Sequence, residues 1–288
     1  MDGDVDISAV ARLIGDRTRA SILEELSASG ALPASELARR AGVAGATASA
    51  HLAKLVAARI NYSAIAYREL YLLDEARRRT EEALELSANL AFSMPRQFAG
   101  SDLLFTHLLR GDIGAAQAEW PRRWEGTSEA TAWTTWLIAG RLAAARAEIA
   151  LQAEPNESAL EWAQRSLEIA RRTHRRKYEA RSLTLLGQAL ARLGRRDEAL
   201  EALRSAVTIA DELVGAPARW QARGALGDVA YEIGDDETAE AAFREAAALV
   251  SDFAANLLPE RAAAVLGAEP VTHILARGGA NTSAGGER

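Results

Sequence analysis

YEARSLTLLGQALARLGRRDEALEALRSAVTIA (178–210) and ARWQARGALGDVAYEIGDDETAEAAFREAAALV (218–250) are two copies of one pattern. At an offset of forty residues, Gly187 matches Gly227, Leu193 matches Ile233, and Gly194 matches Gly234. Ala199 likewise matches Ala239, Leu203 matches Phe243, and Ala206 matches Ala246. A partial third copy stands one period earlier, where Ala159, Leu160, Glu161, Ile169 and Ala170 match Ala199, Leu200, Glu201, Ile209 and Ala210. A fixed period of this size marks a solenoid of stacked units, none of which buries its apolar face alone. Small residues set the distance between backbones, and Leu203 and Phe243 fill the space beside them. Gly194 and Gly234 end the first helix of each unit, where a left-handed cap suits glycine.

Outward from these two units, the pattern predicts three earlier helix pairs. They are 62–73 with 74–90, 98–110 with 115–124, and 129–148 with 157–172. Leu72-Leu73-Asp74-Glu75-Ala76, followed by Glu81-Glu82-Ala83-Leu84-Glu85-Leu86, reads as a second helix of such a pair. The set resembles tetratricopeptide repeats, with Gly187 and Gly227 at the small position of the first helix. Ala199 and Ala239 take the small contact of the second. That family repeats at roughly 34 residues, so each unit here adds nearly one turn per helix. HEAT repeats share the longer period, but the Gly–Ala placement favours the tetratricopeptide class. Long repeats of this kind resemble those of bacterial multidomain regulators.

The resemblance implies an all-α chain with a right-handed solenoid over 60–252, capping helices over 253–277 and a disordered Gly/Ser/Ala-rich tail over 278–288. It places Arg141, Glu148, Arg181, Thr184, Gln188, Gln221, Asp228 and Tyr231 on the concave side. That hydrogen-bonding strip suits an extended peptide or a partner helix. The tryptophans Trp120, Trp124, Trp133, Trp136, Trp162 and Trp220 read as inter-helix packing, with Trp124 a candidate anchor for a partner.

Residues 1–59 read differently. Val10, Leu13 and Ile14 make a first apolar face, Asp16 stands where an N-cap belongs, and Ile22, Leu23 and Leu26 continue at helical spacing. Gly30 breaks that helix and Pro33 suits the first turn of the next. Gly42 and Gly45 bracket a turn before a helix over 46–59. Two short helices joined by such a turn are the geometry of a helix-turn-helix.

Gly15-Asp16-Arg17-Thr18-Arg19, Ile22-Leu23, Leu37-Ala38, Ala41-Gly42-Val43 and Thr47-Ala48-Ser49-Ala50-His51-Leu52 resemble, in that order, the ArsR-type winged-helix repressors. The resemblance implies a recognition helix over 46–58 in the major groove, with Thr47, Ser49, His51 and Lys54 facing DNA. Two features depart from that family. Ala50 stands where a long polar or basic side chain is common. No Arg- and aromatic-rich hairpin follows either, because Arg59 runs through Ile60-Asn61-Tyr62 into another helical pattern.

Charge and composition narrow the function classes. Seven basic residues in 1–59 (Arg12, Arg17, Arg19, Arg39, Arg40, Lys54, Arg59) meet seven acids (Asp2, Asp4, Asp6, Asp16, Glu24, Glu25, Glu36). This balance supplies little general phosphate attraction. The densest positive run, Arg171-Arg172-Thr173-His174-Arg175-Arg176-Lys177, reads as a solvated turn between helices. With no cysteine, disulfides and thiolate chemistry are excluded. His51, His107, His174 and His273 form no metal-ligand spacing, and no phosphate-cradling Gly-Lys loop occurs. The expectation is a non-enzymatic protein with no cofactor and no metal. The acidic start and the lack of a long apolar run point to a cytoplasmic protein off the membrane.

Two functions stay open at this level, and the ordered motif from Asp16 to Leu52 favours the first over the second as its alternative. One is a DNA-binding transcriptional regulator, dimeric, whose repeats sense or recruit a protein or peptide. The other is an interaction scaffold whose helix-turn-helix is a relic that no longer binds DNA.

Overall fold

The computed structural model describes residues 17–29, 32–88, 93–128, 138–153, 156–213 and 215–279, and among these every regular element is helical. In chain order they are α1 (Arg17–Ser29), α2 (Ala34–Arg40), α3 (Gly45–Glu69), α4 (Leu73–Ala88), α5 (Ser93–Leu109), α6 (Ile113–Ser128) and α7 (Gly140–Ala153). Then follow α8 (Asn156–Arg172), α9 (Arg176–Arg192), α10 (Arg196–Asp211), α11 (Ala216–Ile233), α12 (Asp236–Ala255), α13 (Pro259–Leu266) and α14 (Glu269–Gly279). The chain divides into two compact units. The described residues of Met1–Ala66 and Asp74–Leu103 form the first, and those of Tyr67–Leu73 and Leu104–Arg288 form the second. The first helix read from the sequence, with Val10, Leu13, Ile14 and the Asp16 cap, lies outside the described residues.

In the first unit, Ile22, Leu37, Ala38 and Ala48 bury a small core under Leu26, Val43, Leu52 and Leu55. Pro33 precedes α2, and its carbonyl accepts from the amides of Glu36 and Leu37 at 3.0 Å. The sequence placed one helix over 46–59 and another over 62–73, and the structure corrects this. Both belong to α3, which is 25 residues long and passes through Arg59 and Asn61 unbroken. Asn61 falls between the two helices read from the sequence. It is buried instead, and its side-chain amide donates to the buried Asp102 carboxylate at 3.3 Å. Beside that bond, Ile60, Ala83 and Ala99 pack together, so this stretch of α3 is interior rather than a junction.

The second unit is a helical solenoid. α7 pairs with α8, α9 with α10, and α11 with α12, and a continuous apolar cluster runs through the last two pairs from Leu167 to Phe243. The forty-residue pattern has a direct steric cause. A Cβ on Gly187 would lie 2.5 Å from Leu203 Cγ, and one on Gly227 would lie 2.9 Å from the Phe243 ring. α14 closes the C-terminal end on α12. There Gly278, read from the sequence as the start of a disordered tail, lies against the Phe243 carbonyl. Residues 280–288 lie outside the described residues.

The turns that end these helices share one geometry. After α5, α9 and α11 a glycine takes the left-handed position: Gly111 at φ +71°, Gly194 at +74° and Gly234 at +84°. The next amide then bonds back to the helix, as Arg195 N–H does to the Leu190 carbonyl at 3.0 Å. After α3 the same position holds Tyr71 and after α8 it holds His174, both at φ +55°, with Leu72 N–H on the Tyr67 carbonyl at 2.9 Å and Arg175 N–H on the Ala170 carbonyl at 3.0 Å. A side chain there costs on the order of 1–2 kcal/mol relative to glycine.

An ion-pair network ties α10, α11 and α12. Arg223 grips Asp211 with both terminal nitrogens (2.8 and 2.9 Å) and reaches Glu245 at 2.9 Å. Arg223 holds the Asp211 carboxyl below its usual range, against a smaller opposing effect of burial. A carboxylate lowered on folding stabilises the fold above its unfolded pKa, near 3.9, and the benefit is lost as pH falls through the folded value. The stability difference between the wild type and Arg223→Met is therefore expected to shrink below about pH 4. Urea titrations across that range check it, and a gap that widens in acid would contradict it.

Candidate nucleic-acid interface and repeat groove

The turn between α2 and α3 is fixed by the backbone. Gly42 sits at φ +66°, and Val43 N–H reaches the Ala38 carbonyl at 3.0 Å. Ala48, Leu52 and Leu55 turn toward the small core, which leaves the rest of the α3 start facing outward. At about 100° per residue, Thr47, His51 and Lys54 share one flank of the helix. Ser49 lies about 200° from Thr47, on the opposite flank.

The four residues read from the sequence as one DNA-facing set are therefore split. Thr47 and Ser49 are exposed, while His51 and Lys54 are half-buried. The ridge between the flanks is Ala46, Ala50 and Ala53, all exposed. Sequence reading also missed Arg19, which is buried with its guanidinium 3.3 Å from His51 Nδ1.

The charges near this turn are largely compensated. Glu36 accepts from Arg39 at 2.9 Å and from Arg40 at 2.7 Å, and Arg40 also reaches Glu25 at 3.0 Å. The hydrogen bonds from Arg39 and then Arg40 lower the Glu36 carboxyl to about 2. Positive potential on this unit is accordingly local.

The second unit carries a groove of about 680 Å³. Its floor is a grid set by the forty-residue offset, with α7, α9 and α11 as columns. One rank is Glu148, Gln188 and Asp228, and another, at the helix ends, is Gln152, Arg192 and Glu232. Thr184 and Gly224 lie on a third, where Ile274 of α14 fills the space a side chain on Gly224 would take. Most of the deeper charges are matched. Arg181 bonds Glu148 and lies over the Phe105 ring at 4.3 Å, and His273 Nε2 is 2.7 Å from Asp228. Gln188 has no hydrogen-bond partner among the described residues, so a polar amide is open at the centre of the floor.

Of the concave strip read from the sequence, Glu148, Arg181, Thr184, Gln188, Gln221 and Asp228 line this groove. Arg141 does not. It is 4% exposed, donates to the Tyr178 hydroxyl and lies over Phe105 at 5.4 Å, so it braces the wall from behind. Tyr231 also falls outside the lining, 52% exposed beneath the Arg277 guanidinium at 4.2 Å.

The sequence reading missed the opposite wall, made by the turn after α3 with Arg68, Glu69 and Tyr71. Lys177 Nζ lies 3.4 Å from Glu69, and Gln221 Nε2 donates to the Tyr71 hydroxyl at 3.3 Å. Burial pushes Glu69 upward, but Lys177 and Arg68 outweigh it and hold its carboxyl below the usual range. Burial raises the Tyr71 phenol. No periodic signal links Tyr71 to Gln221, 150 residues away.

The remaining motifs resolve into structure. In the basic run, Arg171 and Arg176 pair with Glu179, Arg176 also pairs with Glu212, and Arg175 stacks over Tyr178. Trp120 and Trp124 stack at 5.3 Å, and Trp162 meets both edge-on at 5.2 Å, which packs α6 on α8. Trp133 and Trp136 lie outside the described residues. Among the described residues no cluster of three or more His, Asp and Glu is placed to hold a metal.

Against this geometry, residues 14–60 match the family profile of a helix-turn-helix domain and residues 139–212 that of a tetratricopeptide repeat. Both families are typically non-enzymatic. No curated protein sequence matches the chain. Among solved structures, it is similar to a Rap protein complexed with competence and sporulation factor, at 15% identity and a TM-score of 0.61 over 96% of this chain and 73% of that one. It is also similar to Bacillus thuringiensis PlcR in complex with the peptide PapR7 and DNA, at 12% identity and a TM-score of 0.57 over 86% and 94%. At these identities the likeness is one of fold, that of a helical-repeat solenoid.

Proposed function

We propose that the chain is a DNA-binding transcriptional regulator of a bacterial cytoplasm, acting as a homodimer. A wingless helix-turn-helix of the ArsR-like kind meets DNA, and the repeat groove takes a peptide or protein partner. The observation that carries this reading is the outward-facing start of α3. An alanine ridge at 46, 50 and 53 allows close approach of the helix to base edges, where alanine suits thymine methyl groups. Thr47 and Lys54 flank it for base and phosphate contacts. One structural neighbour is complexed with competence and sporulation factor and the other with the peptide PapR7 and DNA, which supports joining the two functions in one chain.

Gel-shift titration of the full chain tests the DNA half. Lys54→Ala is expected to weaken binding to every sequence alike and to reduce the salt slope by about 0.9. Ala50→Glu sets a carboxylate against the duplex and is expected to weaken binding at least about tenfold. Binding that is equally weak on all DNA and indifferent to both substitutions supports the scaffold instead. That second reading draws on the compensated Arg39 and Arg40 and on the passage of α3 through 59–61 with no strand.

A further inference from the structure

Tyr71 departs from the glycine that three of the equivalent turns use. Gly111, Gly194 and Gly234 take the left-handed position there, His174 takes it after α8, and Tyr71, bulkier and less suited to it, takes it after α3. A bulky side chain in that conformation marks a site held for a reason other than the turn. Its side chain points to the reason. Tyr71 packs on a cluster with Trp220, Val250, Val271 and Ile274, at the edge of the groove floor. Its hydroxyl accepts from Gln221. The fit is incomplete, because the fully buried indole N–H of Trp220 faces the Tyr71 phenol without a hydrogen bond of good geometry. A buried donor left unsatisfied favours any occupant that brings a better-placed acceptor.

We propose that the turn Tyr67–Leu73 is a tethered stand-in for the groove's ligand. The ligand class this implies is a short extended peptide with an aromatic side chain. That side chain replaces Tyr71 on Trp220, while a peptide oxygen accepts from the indole and from Gln221. Glu69–Lys177 and Arg261 over Tyr67 (5.3 Å) hold the turn in place until it is displaced. This rests on the groove being the partner site, and it adds what the partner must look like and what it must displace.

The probe is a fluorescein-labelled heptapeptide of the chain's own residues 67–73, Tyr-Arg-Glu-Leu-Tyr-Leu-Leu, titrated by anisotropy against the full chain. Tyr71→Gly adopts the residue used at three of the four other equivalent turns, so the fold is retained while the competitor side chain is gone. It is expected to bind the probe about tenfold tighter than the wild type, because apparent affinity scales with the fraction of open sites. Alanine at the fifth position of the probe is expected to abolish that gain. In hydrogen exchange on an otherwise wild-type chain, Gln221→Ala is expected to speed exchange across Tyr67–Leu73 severalfold and leave α9 unchanged. Equal probe affinity for wild type and Tyr71→Gly overturns the stand-in while leaving the groove as a partner site. No binding to either chain overturns the stand-in and removes support for a peptide in the groove, without touching the DNA result.

Discussion

Leu203→Ala is expected to lower the free energy of unfolding by about 2–5 kcal/mol. Leu203 is 0% exposed and sits in the apolar cluster that joins the last two repeat pairs. Its branch atom also fills the space where Gly187 lacks a side chain, 2.5 Å from the position a Cβ would take. Gly187→Ala alone is expected to destabilise by about 1–3 kcal/mol, since the Leu203 side chain and the Ala199 carbonyl both crowd the new methyl. The two changes should not add. Once Leu203 is cut back, the methyl at 187 occupies part of the cavity, and residues in contact couple by about 0.5–3 kcal/mol. Urea titration of the two single variants and the double one checks this. Strict additivity would mean that the close approach of α9 and α10 is not set by this pair.

Arg59→Pro is expected to cost about 3 kcal/mol or more, whereas Arg59→Ala changes stability by less than about 0.5 kcal/mol. Arg59 is exposed and lies in the interior of α3. Proline there removes an amide from the helix and drives its ring into the carbonyl of Leu55, one turn back. The comparison between the two variants isolates the backbone, because both remove the same side chain. If Ile60-Asn61-Tyr62 were a junction between separate helices over 46–59 and 62–73, proline would be tolerated. Thermal melts of both variants separate a continuous helix from a joint, and equal melting temperatures would restore the joint.

The same two places show what could be read from residues alone. The packing of Gly187 on Leu203 was legible because small and large residues alternate at a fixed offset, and a repeat enforces the same contact twice. Residues Glu148, Gln188 and Asp228 were legible for the same reason. Arg141 obeyed the same offset and misled, since an arginine whose charge is met by the Tyr178 hydroxyl and two aromatic faces can be buried. Asn61 falls between two helices in the sequence reading, whereas α3 runs through it and its amide donates to a carboxylate 41 residues later in the interior. The division of Thr47, His51 and Lys54 from Ser49 follows from helical geometry and was open to sequence reasoning. The wall at Tyr71 was not, because its partners Trp220 and Gln221 share no period with it.

The forty-residue grid has a metrical consequence. Neighbouring packed helices stand about 8–10 Å apart, and an extended chain advances about 3.3–3.6 Å per residue. Each column of the groove floor therefore spans close to three residues of an extended ligand. Successive side chains of such a ligand point to opposite faces, so one face recurs every second residue and a pointed-down residue falls on consecutive columns in changing phase. A ligand read this way is measured against a vernier. Its spacing of large side chains, as much as their identity, determines which of Glu148, Gln188 and Asp228 it meets.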